Sequence, residues 1–182
     1  MRKIVAGLFM SLDGVVEAPH LWTGPYWSDE MSKVMDDGIQ DADAILIGRN
    51  TYVELTDWWQ SKGESTPMAA FLNNTHKYVV SSTLKELKWP EASLVTGDVA
   101  AQIAELKSGP GKNIQVPGSP RLVRWLLEQG LLDRLALNIA PLVVGEGRRL
   151  FDDVGKKLPL ELVRTYSLPH GVLGMEYAPA GD

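Results

Sequence analysis

The sequence predicts an α/β fold in which a mostly parallel central sheet is flanked by helices and ends in an antiparallel C-terminal hairpin. Buried strands and amphipathic helices alternate as far as Gly130, and such alternation needs crossover connections, which favour parallel pairing. Beyond Gly130 the chain changes to strands separated by short turns, a pattern typical of antiparallel pairing. Because no linker or repeat divides the chain, residues 1–182 are expected to form one domain.

Apolar runs bounded by turn residues indicate the strands of the parallel part. The helices between them are indicated by apolar residues at helical spacing, and the first is expected to start at Ser28. A serine at the N-cap and acidic residues in the first turn both stabilise a helix start, and Asp29 and Glu30 follow Ser28. The predicted strands are residues 4–10, 42–48, 76–81, 93–96 and 113–116, and the later helices begin at Arg49 or cover 68–72, 99–107 and 122–127.

The C-terminal part is predicted to be antiparallel. Residues 134–144 alternate as a strand, and the glycines of 145–147 then turn the chain. Residues 161–168 and 172–177 are predicted to form the two strands of a hairpin, joined by a turn that contains Pro169 and Gly171. The arginines at 148 and 149 are expected to be exposed beside the glycine turn.

Composition excludes several classes of function. The chain is 45% hydrophobic and 23% charged with a net charge of -5, which is ordinary for a globular protein and argues against nonspecific binding of nucleic acid or membrane. There are no cysteines and only three scattered histidines, so no metal site is expected. The N-terminal apolar run lacks a cleavage pattern and no run has transmembrane length, so a cytoplasmic location is expected.

Three strand-to-helix junctions share features that suit a phosphate ligand. Residues 48–51 (Gly-Arg-Asn-Thr), 81–83 (Ser-Ser-Thr) and 118–119 (Gly-Ser) each follow a predicted strand. A helix start offers free N–H groups, glycine allows close approach, and arginine adds a forked charged contact. In a parallel sheet these junctions lie along one edge, so together they suit a dinucleotide with an extra 2′-phosphate. The Rossmann fingerprint is absent from the first strand–helix turn.

Taken together, the motifs resemble the dihydrofolate reductase superfamily. The more similar branch is the C-terminal reductase domain of bifunctional riboflavin-biosynthesis deaminase/reductase proteins, and the resemblance covers nearly the whole chain. The matching segments are SLDG at 11–14, DAILIGRNT at 43–51, the strand and Gly-Ser at 113–119, the helix at 122–127, LLD at 131–133, PLVVG at 141–145 and LF at 150–151. Pro117 and Arg134 depart from the branch pattern.

The resemblance implies a dihydrofolate-reductase-like fold and an oxidoreductase that uses NADPH as hydride donor. Its motifs place Gly48, Arg49 and Thr51 at the phosphates of NADPH. They place Ser81 and Ser82 near the 2′-phosphate of the adenosine. The resemblance further implies that Gly118, Ser119 and the following helix start hold the pyrophosphate.

Hydride transfer also needs a proton, from a positioned acid or an ordered water. Three carboxyl groups, Asp13, Asp29 and Glu30, flank the loop that is expected to cover the substrate. Asp13 lies in the better-matched motif and is the first candidate for a substrate contact, while Asp29 and Glu30 are equal alternatives to each other. A carboxyl group packed against an aromatic ring has its pKa raised by desolvation, which suits proton donation. Trp22 and Trp27 are candidates for stacking on a planar substrate, with core packing as the alternative.

The sequence is compatible with more than one substrate and with more than one function. A ribosylamino-pyrimidine of the riboflavin pathway and dihydrofolate are both candidate substrates. Lys33 is the only basic residue near the expected substrate loop, which weakens the case for a phosphorylated substrate. The alternative is a noncatalytic dinucleotide-binding or regulatory protein on the same scaffold. A homodimer is a further possibility, through the strand after Arg134 or the C-terminal hairpin.

Overall fold

The computed structural model describes residues 1–181, in which eight strands form one sheet with five α-helices packed on its faces. The strands are β1 (Ile4–Ser11), β2 (Ala42–Gly48), β3 (His76–Val80), β4 (Ala92–Val95), β5 (Asn113–Val116), β6 (Arg134–Ala140), β7 (Leu160–Ser167) and β8 (Leu173–Pro179). The α-helices are α1 (Asp29–Gln40), α2 (Arg49–Lys62), α3 (Pro67–Asn74), α4 (Val99–Ser108) and α5 (Pro120–Glu128). Short 3₁₀ turns cover Pro19–Leu21, Gly24–Tyr26 and Pro169–Gly171.

The strand order is β4-β3-β2-β5-β1-β6-β8-β7. Every neighbouring pair from β4 to β6 is parallel, whereas β8 runs antiparallel to both β6 and β7. The predicted mostly parallel sheet with an antiparallel C-terminal hairpin is therefore confirmed. Because the parallel strands all point the same way, the loops after β1, β2, β3 and β5 lie along one edge of the sheet.

One face of the sheet packs beneath α4 and α5. On β1 this first face carries Ile4, Ala6 and Leu8, all buried, because side chains alternate along a strand. Helix α5 presents an apolar stripe to it, and Leu126 and Val123 at the centre of that stripe are 0% exposed. The same core extends below the C-terminal strands.

The second face is covered only in part. Helices α2 and α3 pack on Ile45 and Ile47 of β2 and on Val79 of β3. The Gln115 side chain of β5 donates to the Gly38 carbonyl of α1 at 2.8 Å. The core beneath α2 and α3 contains no residue of β1, β6, β7 or β8. We call the second face of these four strands the open face.

Four strands end earlier than the sequence predicts, at Val80, Val95, Ala140 and Ser167, and the largest difference is at Ala140. The strand predicted for 134–144 ends at Ala140, because Pro141 has no N–H with which to continue the pairing. The strand predicted for 76–81 ends at Val80, since the Ser81 hydroxyl accepts from the N–H groups of Thr83 and Leu84 and starts a turn. Within residues 1–181, no helix is both long and apolar enough to cross a membrane.

Candidate functional site

The junctions after β2 and β5 are packed against each other. The Gly48 N–H donates to the Gly118 carbonyl at 3.0 Å, and the peptide between Gly118 and Ser119 is cis. A Cβ atom on Gly118, where φ is +146°, would lie 2.7 Å from the Thr51 hydroxyl oxygen. A Cβ on Gly48 would lie 3.0 Å from the Ser119 backbone nitrogen. The structure therefore brings together four of the predicted cofactor residues, and glycine is required at two of them. We call this group (Gly48, Thr51, Gly118 and Ser119) the glycine cradle.

Both helices that begin at the glycine cradle lack a side-chain cap. Gly48 precedes α2 and Ser119 precedes α5. Neither residue has a side chain that accepts a hydrogen bond from the first N–H groups of its helix. In contrast, α1, α3 and α4 are capped by the side chains of Ser28, Thr66 and Asp98. The first backbone N–H groups of a helix need an acceptor from outside the helix when no cap supplies one. At the glycine cradle they are therefore free to bind an anion.

The third junction joins the cradle through Arg49. The Arg49 Nη1 atom donates to the Thr83 hydroxyl at 2.7 Å, which connects the start of α2 to the loop after β3. Ser81 is buried and its hydroxyl is used within its own turn, whereas Ser82 is exposed. Arg49 and Thr83 line a cavity of 280 Å³ together with Asn50, Val53, Glu54 and Leu84. A charged group and a hydroxyl thus meet at one end of the cradle.

Asp13 is held by hydrogen bonds at the end of β1. Its carboxylate accepts from the Ser11 hydroxyl at 2.6 Å and from the backbone N–H groups of Val144 and Gly145 at 3.1 and 2.9 Å. The Ser11 bond, followed by those from Gly145 and Val144, holds the pKa of Asp13 well below its usual value. Desolvation acts on Asp13 in the raising direction, but these hydrogen bonds outweigh it, so the raised pKa that suits a proton donor is not found at Asp13. The structure gives this carboxylate the role of anchoring the loop after β6.

The other predicted residues of the substrate loop do not converge on Asp13. Asp29 and Glu30 are exposed in the first turn of α1, and no hydrogen bond or ion pair within residues 1–181 joins either to Asp13. Trp27 is 43% exposed, its ring centre is 5.7 Å from that of Phe9, and its Nε1 donates to the Ser32 hydroxyl at 2.9 Å. Trp22 is half-buried and donates to the Glu17 carbonyl, so it packs on its own loop.

The two arginines that the sequence predicts to be exposed beside the glycine turn are 45% and 42% exposed at their side chains, and both also form ion pairs. Arg149 lies 3.5 Å from the Asp13 carboxylate and donates to the Asp13 carbonyl. Arg148 pairs with Glu17 at 2.7 Å and with Glu54 of α2 at 3.4 Å, and the Arg148 backbone N–H is the main cause of a lowered pKa for Glu17. Sequence reasoning missed these partners, and it missed Thr83 as a partner of Arg49, because each contact joins residues more than thirty positions apart.

The sequence also identifies the family to which the chain belongs. A sequence model of the RibD C-terminal domain matches residues 2–173. The chain belongs to the RibD C-terminal domain family. The uncharacterized protein YyaP of Bacillus subtilis (strain 168) is 28% identical over 180 residues, which are 97% of this chain and 94% of that protein.

Solved structures agree with the family on the fold. A putative riboflavin biosynthesis protein from Shewanella sp. PV-4 superposes with a TM-score of 0.74 at 20% identity, over 100% of both chains. Dihydrofolate reductase from Enterococcus faecalis, solved with NADP(H) and RAB-propyl, superposes with a TM-score of 0.65 at 14% identity, over 98% of this chain and 97% of that one. The dihydrofolate-reductase-like fold expected from the sequence is therefore confirmed.

Proposed function

We propose that this RibD C-terminal domain protein is an NADPH-dependent reductase that transfers a hydride to a small planar pyrimidine- or pteridine-like substrate. The observation that carries the proposal is the glycine cradle, where two uncapped helix starts meet beside Arg49. Family membership supports it, as does the fold shared with a reductase solved with NADP(H). A noncatalytic dinucleotide-binding protein would share the cradle, so an activity measurement has to separate the two.

The residues present fit a phosphorylated dinucleotide. The N–H groups at the start of α2, after Gly48, would bind phosphate oxygens, and the start of α5 after Ser119 would hold the pyrophosphate. Arg49, Ser82 and Thr83 would contact the 2′-phosphate with a guanidinium and two hydroxyls. NADPH supplies the hydride when bound, and the protein supplies its orientation.

The proton has a different source from the hydride. Asp13 is already hydrogen-bonded and its pKa is lowered, so it is a positioning residue rather than the proton donor. Asp29 and Glu30 are exposed at the rim of the substrate loop, where water reaches them. We therefore assign protonation to water, with Asp29 or Glu30 as substrate contacts. Lys33 pairs with Asp37 at 3.8 Å, and both side chains are exposed.

Binding and turnover test the proposal separately. Isothermal titration with NADPH and with NADH is expected to show tighter binding of NADPH, and Arg49→Ala should weaken NADPH about tenfold or more while changing NADH much less. Lys62→Ala is the matched control, because Lys62 is a cation at the far end of the same helix. Turnover is followed as loss of NADPH absorbance with dihydrofolate and with a ribosylamino-pyrimidine. Absence of NADPH binding by the wild type would refute the function.

We also propose that the protein is a homodimer that pairs through β7. This strand lies at the edge of the sheet and, within residues 1–181, pairs with β8 alone. Leu162 and Val163 on it are 56% and 48% exposed. Exposed apolar edge strands tend to pair with another chain. Light scattering after size exclusion should give twice the monomer mass, and Val163→Lys should shift it toward the monomer. A monomeric wild type would contradict the pairing.

A further inference from the structure

Gly7 is exposed although it lies in one of the inner strands of the sheet. Strand β1 has β5 on one side and β6 on the other, and Ile4, Ala6 and Leu8 on its first face are buried. On the open face, a Cβ atom added to Gly7 would meet no atom within 4 Å. Its direct neighbour on β6 is Ala136, another small residue. There is thus unfilled space over the middle of the sheet, with a floor of small side chains.

A row of side chains crosses the open face one pleat above Gly7. The strand registers pair Phe9 with Asn138, Asn138 with Gly174, and Gly174 with Tyr166. Directly paired residues of neighbouring strands point to the same face. Since Ala6 pairs with Val116 on β5, the level of Phe9 on β1 is that of Ser119, beyond the end of β5. The row therefore starts beside the glycine cradle and runs away from it across the sheet, at about 4.8 Å a strand.

The two ends of this row differ chemically. Near the cradle, the rings of Phe9 and Trp27 form an aromatic pair at 5.7 Å. At the far end, the Tyr166 ring lies against Gly174, so closely that a Cβ on Gly174 would collide with it. The Tyr166 hydroxyl donates to the Asn138 Oδ1 atom at 3.4 Å. The row is therefore apolar at the end beside the glycine cradle and polar at the opposite end, at Tyr166.

Asn138 has hydrogen-bonding capacity to spare. The Tyr166 hydroxyl donates to the oxygen of the amide. Within residues 1–181 the Nδ2 group has no protein hydrogen-bond partner, and it is not buried away from solvent. Burial, followed by the charge of Glu176, raises the pKa of Tyr166, so its hydroxyl keeps its proton at neutral pH and remains a donor. One pleat below, Glu176 pairs across the strands with Arg164 at 3.7 Å. A free amide donor thus lies on the same face of the sheet as Gly7 and one pleat above it, and the oxygen of that amide is bonded to a phenol.

We propose that the open face is the substrate-recognition surface and that Asn138, oriented by Tyr166, is its specificity residue. This inference rests on the proposed reductase function, because the row begins beside the glycine cradle. A planar heterocycle would stack on the ring of Phe9 or Trp27 and present a carbonyl oxygen to the Asn138 Nδ2 group. Asn138 would thereby select, among planar rings that reach the open face, those that carry an amide-type edge. Tyr166 acts through Asn138 and is a positioning residue.

Two bicyclic probes test this reading. Lumazine (2,4-dioxopteridine) carries the amide-type edge, whereas quinoxaline has a similar planar shape without it. Isothermal titration of the full chain in saturating NADPH should show lumazine binding at least tenfold more tightly than quinoxaline. Asn138→Leu should remove about tenfold of that preference, and Tyr166→Phe about threefold, because the ring stays over Gly174 and only the hydroxyl is lost. Trp58→Ala is the control, since Trp58 is exposed on α2.

The outcomes are separable from those of the proposed function. NADPH binding in Asn138→Leu and Tyr166→Phe should match the wild type, which also shows that both variants are folded. If NADPH binds but lumazine and quinoxaline bind equally, or both variants keep the preference, the inference fails and the reductase function stands. Failure of NADPH to bind the wild type refutes the reductase function instead. If a second copy covers the open face, the protein is a dimer by light scattering and binds neither probe, which also overturns the inference.

Discussion

The glycine cradle and the open face lie side by side on the sheet but are built in opposite ways. In the cradle the segments pack so closely that a Cβ atom at Gly118 would lie 2.7 Å from the Thr51 hydroxyl oxygen, and one at Gly48 would lie 3.0 Å from the Ser119 backbone nitrogen. On the open face, a Cβ at Gly7 would touch nothing within 4 Å. The cradle offers main-chain N–H groups, whereas the open face offers side chains such as Asn138 and Trp27.

Because of this difference, the two regions tolerate different amino-acid substitutions. A site made of main chain depends on residues that have no side chain, so almost any substitution at its glycines is harmful. A site made of side chains on a regular strand can change its residues while the strand stays intact. One fold can therefore keep a cofactor site and vary its substrate. The comparison predicts opposite effects of the same chemical change in the two regions.

The largest effect is expected from Gly118→Ala. Alanine at φ +146° is strained, and its Cβ collides with the Thr51 side chain, so the free energy of unfolding should fall by about 1–3 kcal/mol or more. NADPH affinity should fall more than tenfold, because the helix start beside Gly118 moves. Urea unfolding and isothermal titration measure the two quantities.

Gly7→Ala is the matched control for this change. Gly7 has no positive φ and has open space at its Cβ, and alanine in a strand interior is more stable than glycine by about 0.5–1 kcal/mol. Its free energy of unfolding should therefore rise or stay level, with NADPH affinity unchanged. If the two substitutions had the same effect on NADPH, the contrast between the regions would be wrong.

The next largest effect is expected from Asp13, which follows β1 and binds the loop after β6 through the N–H groups of Val144 and Gly145. The pKa of Asp13 is lower in the folded than in the unfolded protein, so its ionised form stabilises the fold above the ordinary aspartate pKa of 3.8. That stabilisation is lost as the pH falls below about 4, toward the lowered pKa of the folded protein. Asp13→Asn should therefore lower Tm at pH 7 and flatten the acid part of the Tm profile.

Thermal melts of both proteins from pH 7 to pH 2.5 check this prediction. Asp29→Asn is the control, because Asp29 is exposed and accepts no hydrogen bond in residues 1–181. Parallel pH profiles for the wild type and Asp13→Asn would contradict the role of Asp13 as a loop anchor.

The cradle could be predicted from the sequence more fully than the open face, because the cradle depends on local patterns and the open face on distant strand pairing. The strand and helix limits around the cradle depend on local patterns, and residues 113–116 and 42–48 were predicted with the limits that the structure has. The open face depends on pairing between strands far apart in the chain, such as Phe9 with Asn138. No local pattern marks Asn138 or Tyr166. For the same reason the sequence does not reveal the donors of Asp13, since Val144 and Gly145 lie 131 and 132 residues away.

A smaller effect is expected from the aromatic end of the open face. Trp27→Ala removes a ring, packed on Phe9, on which lumazine would stack, and one aromatic contact is worth about 0.5–1.5 kcal/mol, so lumazine should bind about two- to tenfold more weakly. Trp27→Phe keeps a ring and loses only the hydrogen bond to Ser32, so it should bind lumazine nearly as the wild type does. NADPH affinity should not change in either. An equal loss of NADPH affinity would place Trp27 with the cradle instead.

The smallest effect is expected from the two exposed carboxylates at the start of α1. Asp29→Asn and Glu30→Gln should each change the free energy of unfolding by no more than about 0.5 kcal/mol, since both side chains are exposed. If water supplies the proton, kcat should change by no more than about threefold in either variant. A positioned general acid contributes roughly a hundredfold or more, so its removal is easily distinguished from the loss of a surface charge. A hundredfold loss of kcat with unchanged NADPH affinity in one variant alone would identify that carboxyl as the proton donor. In that case catalysis would depend on the rim of the loop, and the open face would serve recognition only.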